Sequence, residues 1–582
     1  MNNHHSHQFD PSAIKAAALE RKPYWLFGLQ CAALLAALIL GLALLIRNGR
    51  SAVLYWCALF VCLFFTPRSW LQNGKAVFTK WWALGKAETL RLSLISAISS
   101  LAASLAAYGF LFTNEFFSHD ALTLTNYGVE QRWSSYVWNG RILIPLYEKL
   151  KGPVTAPWLI GLLFILYMSL TVLLLARLFE LRRPLHIFLI GALFCTNSSL
   201  AMLGSSYIAC MDDYALALLA AVAGAWFICR CRHGGFLGAL CIAVSMGLYQ
   251  AYLIVAAGLC FFSLFQNVTS NERLSSIVRR GLRYLGLMLA GFFLYFLTWS
   301  AACRFLNIEK GRMGDTIFAL PLESLKPHAI AVYKLFFRNF FRDNGMTGKL
   351  APTFSLLLLG ALLVWLAGWL LDKRLAWGNK LLLCLMVVFL PFVFRASSLL
   401  LLMGDQSLVA FNQRLPAALV LLCAVKWRPA IPYGRRFRAA AAILALAIVC
   451  QNLVFSNQCY IKKDLEKNAS LSIVTRIIER VEQLDGYVLG ETPVAFSGGI
   501  NSNPLYGRGR EGFDAFTVYE EGAMIYDYAP TYNIARYIGT YLNYPMAFAS
   551  VDSSLEEVQA MPAFPAQGSI KFVGEKVVVK LS

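Results

Sequence analysis

Between two long apolar runs the chain carries TNEFFSHDALTLTNYGVEQRWSSYVWNGRILIPLYEKL, which gathers Glu115, His119, Asp120, Glu130, Arg132, Trp133, Trp138, Asn139 and Arg141. A loop that only joined two helices would not need this inventory. An acid just beyond a helix exit can act as a general base, a guanidinium can hold a phosphate through its fork of donors, and a tryptophan face can stack on a sugar ring. The bland alternative is an interfacial tryptophan belt with solvated charges. A second constellation is the acidic pair Asp212 and Asp213 in SSYIACMDDYALALL, where another apolar run begins. Carboxylates entering a membrane helix are expensive, which makes them functional candidates, although a single aspartate there could simply cap the helix and suit its dipole. Tyr249, Gln250, Arg304, Lys310, Arg312, Asp315, Arg395, Asp405, Gln413 and Arg414 fall on the same side. Positive charge there runs against the positive-inside tendency, and an outward-facing basic cluster suits an anionic lipid phosphate. Arg141 is the first candidate to hold it and Arg414 the second.

These residues need a scaffold, and composition indicates which kind. Of 582 residues, 58% are apolar and 14% charged, with a mean hydropathy of +0.57. A soluble protein of this size would need far more polar surface. Thirteen runs are candidates to span a bilayer, which takes about 20 apolar residues per helix. They lie near 25–46, 52–66, 92–112, 157–177, 185–201, 213–229, 236–249, 251–267, 284–303, 353–371, 380–395, 408–425 and 439–456. The pair meeting at Tyr249 and Gln250 reads as a hairpin, with one long tilted helix as the alternative.

The formal net charge of +20 could point to nucleic acid, but the Lys and Arg residues sit in short loops and not on one amphipathic patch. No nucleic-acid partner is expected. Every second loop is basic instead, through Arg68, Lys75, Lys80 and Lys86, then Arg177, Arg182 and Arg183, then Arg230 and Arg232. Arg273, Arg279, Arg280 and Arg283 continue the series, followed by Lys373 and Arg374, then Lys426, Arg428, Arg435, Arg436 and Arg438. This pattern predicts a cytoplasmic N-terminus and an extracytoplasmic C-terminus.

Polar segments near 113–156, 304–352 and beyond 457 then face outward. The last reads as a small folded unit, with Leu471, Val474, Ile477, Ile478 and Val481 on the apolar side of a helix, a strand at Pro493 to Phe496, and a closing hairpin, GSIKFVGEKVVVKLS. The expected architecture is mainly α, a polytopic membrane helical bundle of about 13 spans over residues 1–456. A small C-terminal α/β extracytoplasmic domain follows over 457–582.

Most of the fourteen cysteines lie inside apolar runs, where they act as small hydrophobes. Cys229 and Cys231 have C-x-C spacing without a second pair to complete a zinc site, and the N-terminal His cluster reads as a tail. No metal ligand set is assigned, and a divalent cation stays open as a helper. There is no G-x-x-x-x-G-K-[ST], no H-E-x-x-H and no G-x-S-x-G between a strand and a helix, which argues against a nucleotide-driven pump and a metalloprotease.

The stretch NEFFSHDALTLTNYG…WNGRILIPLYEKL, then APWLIGLLFILYMSL, SSYIACMDDYALALLAA and SMGLYQAYLIVAAGL, resembles the glucosyl transferase II domain family, which includes serotype-converting glucosyltransferases. The closing MPAFPAQGSIKFVGEKVVVKLS is similar to the end of that family. The resemblance covers most of the chain and implies a GT-C type glycosyltransferase of the bacterial cell membrane, using a polyprenyl-phosphate sugar on the outer side. It implies undecaprenyl-phosphate glucose as donor, an O-antigen unit or other surface glycan as acceptor, and a lipid-sugar synthase and small flippase as companions. It also places a catalytic base at Asp120 and matches Asp212 and Asp213 to a later acidic motif. Two other classes stay open: an O-antigen polymerase or ligase acting on diphosphate-linked glycans, and a lipid-linked sugar flippase or transporter, which should carry broken helices at the bilayer midplane.

Overall fold

The computed structural model describes residues 86–116, 118, 122, 129–151, 156–231, 234–311, 325–341, 350–395, 411–430, 433–500, 502–503, 505, 525 and 529–582. Leu84–Leu297 and Lys310–Ser582 together form one compact unit. The fold is mainly α. In chain order the helices are α1 (Lys86–Thr113), α2 (Val129–Trp138), α3 (Ile144–Lys151), α4 (Pro157–Leu178), α5 (Pro184–Cys195), α6 (Ser198–Ser206) and α7 (Met211–Arg230). Next come α8 (Gly235–Leu248), α9 (Leu253–Thr269), α10 (Leu274–Leu306), α11 (Leu325–Phe341), α12 (Ala351–Leu371), α13 (Trp377–Arg395), α14 (Pro416–Val425) and α15 (Gly434–Glu482). Proline opens α4, α5, α12 and α14, where its missing N–H has no helical partner to lose.

Among the described residues nine helical stretches are long and apolar enough to cross a membrane, and α8 and α14 are shorter apolar helices. Each expected span from 92–112 onward overlaps one of these. The two expected at 25–46 and 52–66 lie outside the described residues. On α4 the stripe Leu162, Leu166 and Leu170 is 61%, 52% and 41% exposed, and on α10 Leu282, Leu285 and Leu289 form another. Such stripes are costly in water and well solvated by acyl chains, so the chain is a membrane protein.

The stretch Pro184–Ser206, α5 with α6, is buried from Ile187 onward except for half-buried Phe188 and forms the centre. It breaks at Asn197, whose side chain accepts from Ser199 N at 3.0 Å and donates to Phe411 O at 3.1 Å. The break therefore leaves no polar side chain stranded in an apolar interior. A Cβ on Gly204 would come within 2.7 Å of Leu111 and 2.9 Å of the Tyr460 hydroxyl. A glycine at this point lets α1 and α15 close on α6. Around this centre α1 packs on α4 and α5, and α7 packs on α4, α8 and α9. Tyr249 is extended, at φ −154 and ψ 108, so α8 and α9 are two helices and not one long one.

The last helix, α15, runs 49 residues without interruption across the expected boundary at 456/457. Its final third carries Ile473, Val474, Ile477, Ile478 and Val481 into a core shared with a three-stranded sheet. Leu471, expected on that apolar side, is instead exposed, because the core starts only at Ile473. The strands are β1 (Val494–Ser497), β2 (Ile570–Val573) and β3 (Lys576–Lys580), with β3 central, parallel to β1 and antiparallel to β2. Gly574, at φ +63, makes the β2–β3 turn in the left-handed region that glycine adopts freely. One further residue enters this core from far away in sequence: Leu122, only 1% exposed.

Candidate functional site

The chain reaches α7 through a short 3-10 turn, Ile208–Cys210, which places Asp212 and Asp213 in the first turn of the helix. Both are fully buried. A favourable helix dipole accounts for one acid there but not for a pair out of water. Their counter-charge comes from the end of α3, where Lys151 Nζ lies 2.7 and 2.8 Å from the two oxygens of Asp212 and 3.4 Å from Asp213 Oδ1. One turn earlier on the same face, the Tyr147 hydroxyl donates to Asp212 Oδ2 at 2.8 Å and accepts from Tyr167 at 3.0 Å. Both oxygens of Asp212 thereby have partners. Asp213 differs: its Oδ2 is buried with no hydrogen-bond partner among the described residues. Of the two acids, Asp213 is the one left able to accept a proton or a ligand hydroxyl.

Burial alone would lower the Lys151 pKa, but Asp213 and Asp212 outweigh it and hold the ammonium above the ordinary lysine value. Burial, and then the Asp212 charge, push the Tyr147 phenol far up, so it remains a donor. Tyr147→Phe should cost about 1–3 kcal/mol, since one acceptor site of a buried carboxylate loses its partner. Thermal unfolding in detergent measures this, and an unchanged midpoint would mean the bond contributes nothing.

Arg141 approaches α7 from another side. Its Nη1 donates to the Tyr214 hydroxyl at 3.0 Å, and the guanidinium lies 5.7 and 5.4 Å from the ring centroids of Tyr214 and Tyr249. These are cation–π distances, and Nε is buried without a hydrogen-bond partner among the described residues. The backbone there is fixed from several directions. Gly140, at φ +76, ends α2, and Arg141 N donates to Tyr136 O at 2.8 Å. Gln250 Nε2 donates to Asn139 O at 2.6 Å, the Tyr295 hydroxyl donates to Gly140 O at 3.0 Å, and Leu143 N donates to Gly247 O at 2.9 Å. Gln250 is therefore a clamp on the Arg141 loop.

Trp133 donates to Glu148 Oε2 at 3.2 Å and receives Lys149 over its ring at 4.5 Å. Asn139 caps its own helix by donating to Ser135 O at 3.0 Å. Trp138 is 40% exposed, an open aromatic face beside Gly311, whose N donates to the Trp138 carbonyl at 2.9 Å. Arg395 and Arg414 meet in one pocket with Gln413 and the apolar side chains of Phe336, Phe340 and Leu358. Arg395 is buried there and donates to Leu335 O at 2.9 Å. A run of ring contacts links the two groups. Tyr214 meets Tyr249 at 4.4 Å between centroids, Tyr249 meets Tyr252 at 5.1 Å, and Tyr252 meets Phe411 at 5.7 Å. Phe411 begins the turn that ends at Arg414.

His119, Asp120 and Arg312 lie outside the described residues, as do Asp315 and Asp405. On either side of Asp120 in the sequence, Ser118 donates to Ser206 O and Leu122 is held in the C-terminal core. Lys151, Tyr147 and Tyr214 were not picked out by sequence reasoning. The available signal was Tyr147 and Lys151 at i and i+4 on IPLYEKLK, one face of a helix, opposite an acidic pair that needed a cation. Cys229 Sγ lies 3.7 Å from Cys260 Sγ, and neither Cys229 nor Cys231 is in a disulfide. Among the described residues no group of three or more His, Cys, Asp or Glu is placed to hold a metal.

No curated protein and no solved structure matches the chain. The family model for glucosyl transferase GtrII matches residues 109–425, a span that contains Arg141, Lys151, the Asp212–Asp213 pair, Arg395 and Arg414. That match takes in more than half of the chain, which therefore belongs to the glucosyl transferase GtrII family, a family of glycosyltransferases.

Proposed function

We propose that this glycosyltransferase moves glucose from a polyprenyl-phosphate donor, undecaprenyl-phosphate glucose, to a surface glycan such as O-antigen. It would work as a GT-C type enzyme of the bacterial inner membrane, with its N-terminus in the cytoplasm and its C-terminal domain outside. A synthase that loads the lipid and a small flippase that turns it over are the partners this chemistry calls for. The observation that carries the reading is a buried acid pair with its buried cation, linked through a run of aromatic rings to an arginine pocket with an apolar wall.

In the reaction, Asp120 takes the proton of an acceptor hydroxyl, and that oxygen attacks the anomeric carbon. The bond from that carbon to the lipid phosphate breaks on the opposite face, giving inversion and a free polyprenyl phosphate. Phosphate leaves readily, so no second acid is required, in contrast to glycoside hydrolysis. Arg141 and Arg414 stabilise the charge growing on it, Arg395 adds to the same field, and Trp138 offers a stacking face for a sugar. His119 and Arg312 are assigned to substrate binding beside them, and Asp213 to a hydroxyl of the donor sugar or acceptor.

The test is transfer of radiolabel from undecaprenyl-phosphate glucose to a surface-glycan fraction by the purified full-length protein. Arg141→Ala should slow transfer by about 10²-fold, the loss typical of one donor to a developing anion. A folded wild type that neither consumes the lipid nor labels glycan, with other lipid-phosphate sugars also tried, would overturn the reading in favour of a diphosphate-lipid polymerase or a flippase.

A further inference from the structure

At the opposite end of α7 the helices enclose a second, more polar pocket. Arg230 lies 18 residues beyond Asp212, about 27 Å along the helix. Its Nη2 donates to Gln266 Oε1 at 2.8 Å, and Gln266 lines this pocket together with Asn271, Arg374, Lys426, Trp427 and Arg428. Three cations thus converge on it from two segments, the α12–α13 turn and the residues after α14.

Both segments are braced. Asn271 donates to Arg374 O at 3.1 Å and accepts from Ala376 N at 3.0 Å, which fixes the first. The indoles of Trp365 and Trp369 both donate to Trp427 O at 2.7 Å, which fixes the second. The carboxylates of Asp372 and Glu180 stand nearby, and each is already engaged. Asp372 accepts from Arg374 Nε at 3.0 Å and Nη2 at 2.7 Å and from Ala430 N at 3.2 Å, while Glu180 meets Arg230 at 3.0 Å and Lys426 at 3.6 Å. The four cations Arg230, Arg374, Lys426 and Arg428 outnumber these two acids, and Arg428 is exposed to the pocket. Trp377, 83% exposed at the start of α13, sits as tryptophans do at the level of lipid head groups, and basic pockets between helices at that level take lipid phosphates.

We propose that this pocket binds a phosphate ester anion, supplied by the head group of an anionic phospholipid or by a soluble phosphate ester. It is separate from the transfer site, at the other end of α7. The test uses purified, delipidated full-length protein in a neutral detergent. Native mass spectrometry counts retained phosphatidylglycerol against phosphatidylcholine, and glycerol 3-phosphate is titrated in parallel. Wild type should retain phosphatidylglycerol at least tenfold more strongly than phosphatidylcholine, and Arg428→Glu and Lys426→Gln should each weaken that retention about tenfold with an unchanged elution profile. Glycerol 3-phosphate binding as tightly as the lipid, and lost in both variants, would uphold the phosphate site with a soluble occupant. Equal retention of the two lipids, or unchanged phosphatidylglycerol retention in both variants with no glycerol 3-phosphate binding, would overturn the proposal.

Discussion

Asp120→Asn should reduce sugar transfer about 10²- to 10⁴-fold, the loss expected when a positioned general base is removed. The variant keeps the size and hydrogen-bonding reach of the side chain but cannot take a proton. Donor binding should therefore persist, with KM for the lipid within a few-fold of wild type while kcat falls. The chain on both sides of this residue is anchored, at Ser118 to the end of α6 and at Leu122 in the C-terminal core. Anchored flanks are what a base needs if it is to be held at one distance from an acceptor hydroxyl. Single-turnover rates with labelled donor decide the matter. Full turnover by Asp120→Asn would remove Asp120 from the chemistry and move attention to Asp213, whose buried Oδ2 has no hydrogen-bond partner among the described residues.

Lys151→Ala should destabilise the protein by about 3–5 kcal/mol, because it leaves two buried carboxylates without their cation. Lys151 is the one cation that either Asp212 or Asp213 meets among the described residues, and its side chain is itself 9% exposed. Adding Asp212→Asn to the lysine variant should recover a substantial part of the loss, since one of the two stranded charges is gone. Thermal unfolding of the two singles and the double in detergent gives the coupling directly. A Lys151→Ala midpoint equal to wild type would show that water or ions already solvate the pair, and the buried cluster would lose its meaning.

Much of this architecture was legible from hydropathy, because a bilayer imposes one length scale on every crossing. The described spans fall where apolar runs predicted them, and β1 and the closing hairpin fall where alternation and turn residues did. What hydropathy could not show was continuity. The last span and the amphipathic helix of the C-terminal unit read as separate elements, since their apolar faces serve different partners, yet the backbone between them stays helical. The site was legible in part. The cost of burying charge singled out Asp212 and Asp213, but the same reasoning did not supply Lys151. A lysine at the end of a short helix looks like any solvated lysine until the fold brings it 2.7 Å from an aspartate 61 residues away. Gln250 stands out in the sequence by its polarity at the outer end of an apolar run, and its amide is committed to Asn139 O and the Tyr295 hydroxyl. Polarity marks such a position without saying whether the partner is a substrate or the chain itself.

The uninterrupted α15 has a consequence for how the chain tolerates change in length. A flexible linker absorbs added residues at little cost, because loop closure depends weakly on length. A helix does not: each inserted residue advances everything beyond it by about 1.5 Å and rotates it by about 100°. Leu122 reaches the C-terminal core from a segment that does not ride on this helix, so its seat requires pitch and phase to be right together. Seven added residues nearly restore the phase but raise the core by about 10 Å, and one added residue nearly preserves the height but turns the core by more than a quarter circle. No whole number of residues satisfies both, so α15 between the membrane and Ile473 acts as a spacer of fixed gauge.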